Sequence, residues 1–187
     1  AQERTIAIQK QAQILQTQEN ITNQATKLAI LNVISIKVDS MRHGFIIDTP
    51  EAGSFIDKDK RYNNFADLVL YFPRALQIGL LSPFPSDWFK ERTAVGVIGQ
   101  ILTDMEMAIW YIFLMGFIYI MYKNPSVITP LSPILLLSII LIILLGYVVP
   151  NVGAIYRMRQ AYMIPFFLFG AHGLRLMISN YNKKQLT

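Results

Sequence analysis

The sequence predicts an all-α membrane protein: an N-terminal amphipathic helix, a loop-rich polar segment, an interfacial helix and three transmembrane helices. Three observations lead there. Hydrophobic residues make up 53% of the 187-residue chain and charged residues only 16%, where a soluble domain carries about a quarter. All twelve acidic residues lie at or before Glu106, and from Met107 onward the only charged side chains are Lys123, Arg157, Arg159, Arg175, Lys183 and Lys184. Charge is costly in hydrocarbon, so a segment without acids, with most of its bases at the margins, reads as membrane. That segment also contains three apolar runs, at about 107–122, 131–149 and 161–178. The second, at 1.5 Å per residue, spans about 28 Å, close to the hydrocarbon thickness.

Residues 1–38 form the first element. The stretch has no Gly or Pro, which favours helix. Ile14, Ile21 and Leu28 recur every seven residues, with Ala25 and Leu31 beside them. This partial heptad marks a helix that packs along one stripe, either within the chain or in a coiled coil with a protein partner. Residues 39–104 follow. The first part, to Asn64, holds Gly44, Pro50, Gly53 and the run Asp57-Lys58-Asp59-Lys60-Arg61, and reads as a polar loop. Asn63 or Asn64 is placed to cap a helix through Phe65, Leu68, Val69, Phe72 and Leu76. Pro73 is expected to kink it. Asp67, Arg74 and Gln77 favour an interfacial or re-entrant helix over a full span. The turn Ser82-Pro83-Phe84-Pro85-Ser86-Asp87-Trp88-Phe89 suits the headgroup layer.

Residues 105–187 are the three-span region. A long helix is expected over Glu91–Tyr122, its second half being the first span. Asn124-Pro125 and Pro150-Asn151-Val152-Gly153 break the runs, and the tail from Ser179 is polar and basic. The loop between the second and third spans carries Arg157 and Arg159. The opposite side carries Lys123, Lys183 and Lys184. The positive-inside rule leans towards a cytoplasmic C-terminus. Residues 1–104 would then face outward, which requires a span or signal before Ala1; a start other than Met fits a processed chain or a piece of a longer one. The net charge of +5 reads as headgroup attraction rather than nucleic-acid binding. With no cysteine, disulfides and thiol chemistry are excluded.

Few motifs carry chemistry. Arg42-His43-Gly44 matches three residues of the histidine-phosphatase motif, but the only other histidine, His172, lies in an expected span. Asp57-Lys58-Asp59 opens like a calcium loop, yet the sixth position is not Gly and the twelfth is Leu68, so the pattern fails. The sequon Asn20-Ile21-Thr22 falls in an expected helix. There is no phosphate-binding loop, nucleophile elbow or zinc motif, and neither a cofactor nor a metal is expected. The strongest feature is Asn151-Val-Gly-Ala-Ile-Tyr156-Arg157-Met-Arg159: two arginines in a short connection between deep segments. Arginine forks bind phosphate oxygens, here those of lipid headgroups or lipid-linked pyrophosphates. Anchoring is the simpler alternative. His172 and Arg175 share one helix face, and Glu106, with Asp104, is placed to pair with Arg157 or Arg159.

Taken together, Arg42-His-Gly-Phe45, Ala52-Gly-Ser-Phe-Ile-Asp57, Tyr71-Phe-Pro-Arg74-Ala-Leu76, Ser82-Pro-Phe-Pro-Ser-Asp-Trp88, Glu106 before Trp110-Tyr111, and Asn151 to Arg159 resemble polytopic proteins of bacterial envelope and exopolysaccharide clusters, distantly similar to O-antigen polymerases and ligases. Those polymerases have many more spans than three. The resemblance implies a multi-pass protein of the bacterial inner membrane in which arginines hold the pyrophosphate of a polyprenyl-linked glycan. Arg74, Arg157 and Arg159 are the residues it implies, with His43, Glu106, His172 and Arg175 as weaker candidates. The alternative is a non-catalytic accessory or anchoring subunit of a larger complex. A pore is a third class, without a visible inverted repeat.

Overall fold

The structure is a computed structural model that describes residues 2–88 and 96–185, with side chains for 11, 13–88 and 96–182. It contains six α-helices: α1 (Gln2–Asp48), α2 (Phe65–Leu81), α3 (Gly96–Lys123), α4 (Ser132–Val148), α5 (Val152–Met158) and α6 (Gln160–Gln185). Among the described residues there is no strand; Phe55 and Asn151 form one isolated antiparallel bridge. The chain is therefore an all-α protein. Three segments are long and apolar enough to cross a membrane: Gly96–Lys123, Pro125–Val148 and Gln160–Asn182. Each contains or nearly coincides with one expected span. The part of the expected Glu91–Tyr122 helix before Gly96 lies outside the described residues.

α3, α4 and α6 run up, down and up. Gly116 of α3 meets Gly173 of α6, and Phe113 meets Gly170, so close that a Cβ on either α6 glycine would fall on a carbonyl oxygen of α3. Small residues at this contact let the backbones approach, which is how helices gain packing energy where lipid provides no hydrophobic drive. Trp110, Phe117 and Ile120 of α3 and Met163, Phe166 and Phe169 of α6 are buried around it.

α2 lies antiparallel to α4. A Cβ on Gly146 would strike the Ala75 carbonyl, and one on Gly79 would strike Ile142. The helix starts with a capping box: the Asn64 side chain accepts from the Asp67 N–H at 3.0 Å, and the Asp67 carboxylate accepts from the Asn64 N–H at 3.3 Å. It continues through Pro73 as one element. Its last carbonyls reach Trp110, midway along α3. α2 thus begins beside the α4 C-terminus and ends level with the middle of α3.

Two elements differ from expectation. α1 does not end near residue 38; it continues through Gly44 to Asp48, and Thr49-Pro50 stops it. Tertiary contacts hold these last turns. The Asp39 carboxylate accepts from Arg61 Nε at 3.0 Å and from the Tyr62 N–H at 2.7 Å, and Asn32 accepts from the Phe65 N–H at 3.1 Å. At about 1.5 Å per residue α1 is about 70 Å long, and all its described side chains from 11 to 30 are exposed. The second difference is the Arg157 connection, which is the helix α5 rather than a loop.

Candidate functional site

The residues with chemical potential fall into two groups, one where α2 starts and α4 stops and one around the C-terminal end of α2. Asp57 stands in the left-handed backbone region, with φ 47°, a conformation Asp tolerates better than most residues. Its carboxylate accepts from Tyr71 Oη at 2.8 Å and from Arg74 Nε at 2.9 Å and Nη2 at 3.3 Å. Partial burial raises its pKa, but the hydrogen bonds from Arg74 and Tyr71 and the charges of Arg74 and Arg42 outweigh that and hold it below the usual carboxylate range.

Arg42 sits behind this pair and is 1% exposed. It donates to three backbone carbonyls: Tyr147 at 3.0 Å, and Ile56 and Asp57 at 2.9 Å. One guanidinium therefore ties α1, the 49–64 loop and the end of α4 together. Tyr62, Tyr71 and Tyr147 pack around it with ring centroids 5.4 to 5.9 Å apart. Burial pushes the Tyr62 phenol well above its ordinary range, so it stays neutral. The neighbouring His43 points into solvent. The Arg-His-Gly triplet thus contributes its arginine to packing, and the second histidine, His172, is on α6.

Asn151 joins the same end. Its side chain accepts from the Ala154 N–H at 2.9 Å, capping α5, and from Ser54 Oγ at 3.2 Å. The Ser54 and Pro150 carbonyls accept from the Val152 and Ile56 N–H groups at 3.0 and 2.9 Å. Motifs about a hundred residues apart are joined here.

Arg157 and Arg159 part company. Two residues apart on helical backbone, they point to different sides. Arg157 is exposed. Arg159 is 0% exposed and donates to the Gly79 carbonyl and to Met107 Sδ, both at 2.9 Å. Trp110 Nε1 donates to the Leu80 carbonyl at 2.8 Å, Tyr111 Oη to the Leu81 carbonyl at 2.7 Å, and the Ser82 N–H to the Ile78 carbonyl at 3.2 Å. The four terminal carbonyls of α2, which a helix leaves unpaired, are all taken. A cation at the negative end of the helix dipole fits the same logic.

Glu106 does not pair with either arginine. It accepts from Tyr156 Oη in a short hydrogen bond and from Gln160 Nε2 at 2.8 Å. Beside it, Asp104, Trp88, Val97, Ile101 and Met105 line an open groove of about 550 Å³. His172 and Arg175 are exposed on α6, away from all these groups. Of the expected site residues, Arg74 is at the Asp57 cluster and partly exposed, while Glu106 and Arg159 approach each other around α5. The roles of Arg42, Asp57, Tyr62 and Tyr147 were not legible individually. The available signal was the set of ordered short motifs, which the fold places in two groups, one around the start of α2 and one around its C-terminal end. No known family, characterised protein or solved structure matches the chain.

Proposed function

We propose that the chain is a membrane-embedded subunit of a larger protein complex, with α1 as the arm that takes a partner helix. One observation carries this reading. Ile14, Ile21 and Leu28 are 53%, 60% and 59% exposed, although the same seven-residue steps reach Ser35 and Arg42, which are buried against the bundle. The packing stripe of α1 continues beyond any described residue that covers it, and a partial heptad of three steps is near the minimum for helix pairing. The protein purified in mild detergent should retain a stoichiometric partner. Changing Ile14, Ile21 and Leu28 together to Asn should release it. A monomer of the same size with and without these changes would refute the arm.

A second reading is favoured by Arg157, an exposed guanidinium in the connection between two apolar spans, with Arg74 partly exposed as well. On this reading the protein acts in bacterial envelope polysaccharide assembly at the inner membrane and takes the phosphate of a lipid-linked glycan there. Arginine's paired donors hold phosphate oxygens in a bidentate geometry that lysine's point charge does not reproduce. Arg74→Lys with Arg157→Lys should then lower glycan output at unchanged protein level; unchanged output would count against it.

A further inference from the structure

α2 stops in the middle of the bundle. Trp110 of α3 donates to the Leu80 carbonyl. Trp110 is 14 residues from Gly96 and 13 from Lys123, the ends of α3, or about 21 and 20 Å along the axis. α3 is a candidate span, and hydrocarbon is about 30 Å thick. Wherever that layer falls along α3, Trp110 is at least about 9 Å inside both of its faces, and tilting α3 only deepens it. α2 runs antiparallel to α4, as α3 does, so Phe65 and Gly96 are on one side. Phe65 is 15 residues before Leu80, about 22 Å, which reaches the face from which α3 starts. α1 is on that side too, where Asn32 accepts from the Phe65 N–H at 3.1 Å.

We infer that α2 opens a re-entrant hairpin: it enters the hydrocarbon from the side of α1 and ends inside, and the chain is back on the same side by Gly96, with the outer face of α2 against lipid acyl chains. A helix lying flat in the headgroup layer would leave its last carbonyls to water. Here they are taken inside the bundle, by Trp110, Tyr111, the Ser82 N–H and the fully buried Arg159, which is what a helix ending in hydrocarbon requires. The packing agrees. Gly79 meets Ile142 and Gly146 meets Ala75 at backbone contact, the close approach of helices in lipid. The outer face of α2 is Ala66, Val69, Leu70 and Pro73, all exposed. Gln77 ends it and accepts from Arg74 Nη1 at 2.9 Å. Acyl chains are the occupant because this face continues the outer surface of a span. Leu144 of α4 is exposed and, between the two glycine contacts, level with Gln77. The charged side chains of α2 leave the face clear: Asp67 caps the helix start and Arg74 turns to Asp57. Neither function proposed above requires this path, so it stands or falls separately.

The absence of cysteine makes the test direct. Asn63→Cys and Asn124→Cys place single thiols at exposed positions before α2 and after α3. The full-length protein in sealed vesicles is treated with a membrane-impermeant maleimide. The two thiols should react from opposite faces; reaction from the same face would mean that α2 crosses the membrane, and would overturn the hairpin. Ala66→Cys, Pro73→Cys and Gln77→Cys then carry a fluorophore along the exposed face of α2. Its depth is read with lipids bearing a nitroxide at a shallow or a deep acyl carbon. Relative to Ala66→Cys, the label should lie about 10 Å deeper on Pro73→Cys and about 16 Å deeper on Gln77→Cys for an upright helix. Equal depths would make α2 an interfacial helix and refute the proposal. Labels on Pro73→Cys and Gln77→Cys that neither lipid quenches would put protein or water, not acyl chains, on that face, and would refute it too. If Gln77→Cys does not accumulate, the step from Ala66→Cys to Pro73→Cys decides alone.

Discussion

Arg159 donates through Nη1 to the Gly79 carbonyl oxygen at 2.9 Å, setting a fully buried cation on the C-terminal end of α2. The contact crosses eighty residues of sequence and fixes where α2 ends inside the bundle. It also separates the two arginines that the sequence presents as a pair: one holds the fold, and the other faces outward.

Arg159 is therefore expected to matter for stability more than Arg157. Arg159→Ala leaves the Gly79 carbonyl without its charged donor and should cost about 3 kcal/mol. Arg159→Lys keeps the charge but not the fork and should cost about half that. Arg157→Ala should stay within about 0.5 kcal/mol. Denaturation in detergent micelles checks the order; equal losses at the two positions would contradict the assignment.

Glycine substitutions should split by environment. Gly146→Ala and Gly173→Ala each drive a methyl group into a carbonyl of the facing helix and should destabilise by about 1–3 kcal/mol. Gly44→Ala lies in α1 with nothing within 4 Å of the added Cβ and should stabilise by about 0.5–1 kcal/mol. Melting temperatures of the three variants should fall on opposite sides of the parent.

The Asp57–Arg74 pair has a pH signature. The Asp57 pKa is depressed in the folded chain, so its contribution is present above the unfolded value, about 4, and is lost as pH falls through the lower folded value. Asp57→Asn should flatten the loss of stability in that acid window. Asp57→Val should be worse than Asn at neutral pH by about 1–2 kcal/mol, because a β-branched residue resists the left-handed conformation. Parallel acid titrations of the parent and the Asn variant would expose an error if they coincide.

The α1 stripe should be silent in the isolated chain. Ile14, Ile21 and Leu28 replaced together by Asn should leave bundle stability within about 0.5 kcal/mol, as at exposed positions generally. A large loss would mean that the stripe packs on its own bundle.

The three spans were legible because lipid imposes one strong rule, long runs without charge, and the acid-free tail from Met107 obeys it. The start of α2 was legible to within one residue, since the sequence places Asn63 or Asn64 to cap it; the structure selects Asn64 and shows that Asp67 completes a capping box. The extent of α1 was not. Gly44 and the polar stretch around it read as a break, but Asp39 and Arg42 find partners in the 61–62 segment, the 56–57 segment and the end of α4, and those contacts outweigh a weak local preference.

What the sequence determined by itself is the class of the protein, an all-α chain with three apolar spans and a polar arm, because hydropathy, capping and heptad spacing act over a few residues. What only the tertiary structure decided is the fate of each charged side chain. Arg42 and Arg159 are buried on carbonyls, Arg74 is held by Asp57, and Arg157, His172 and Arg175 are left outward. A guanidinium looks the same in sequence whether it awaits a ligand or closes a helix end; only the carbonyls that chain folding brings within 3 Å distinguish the two.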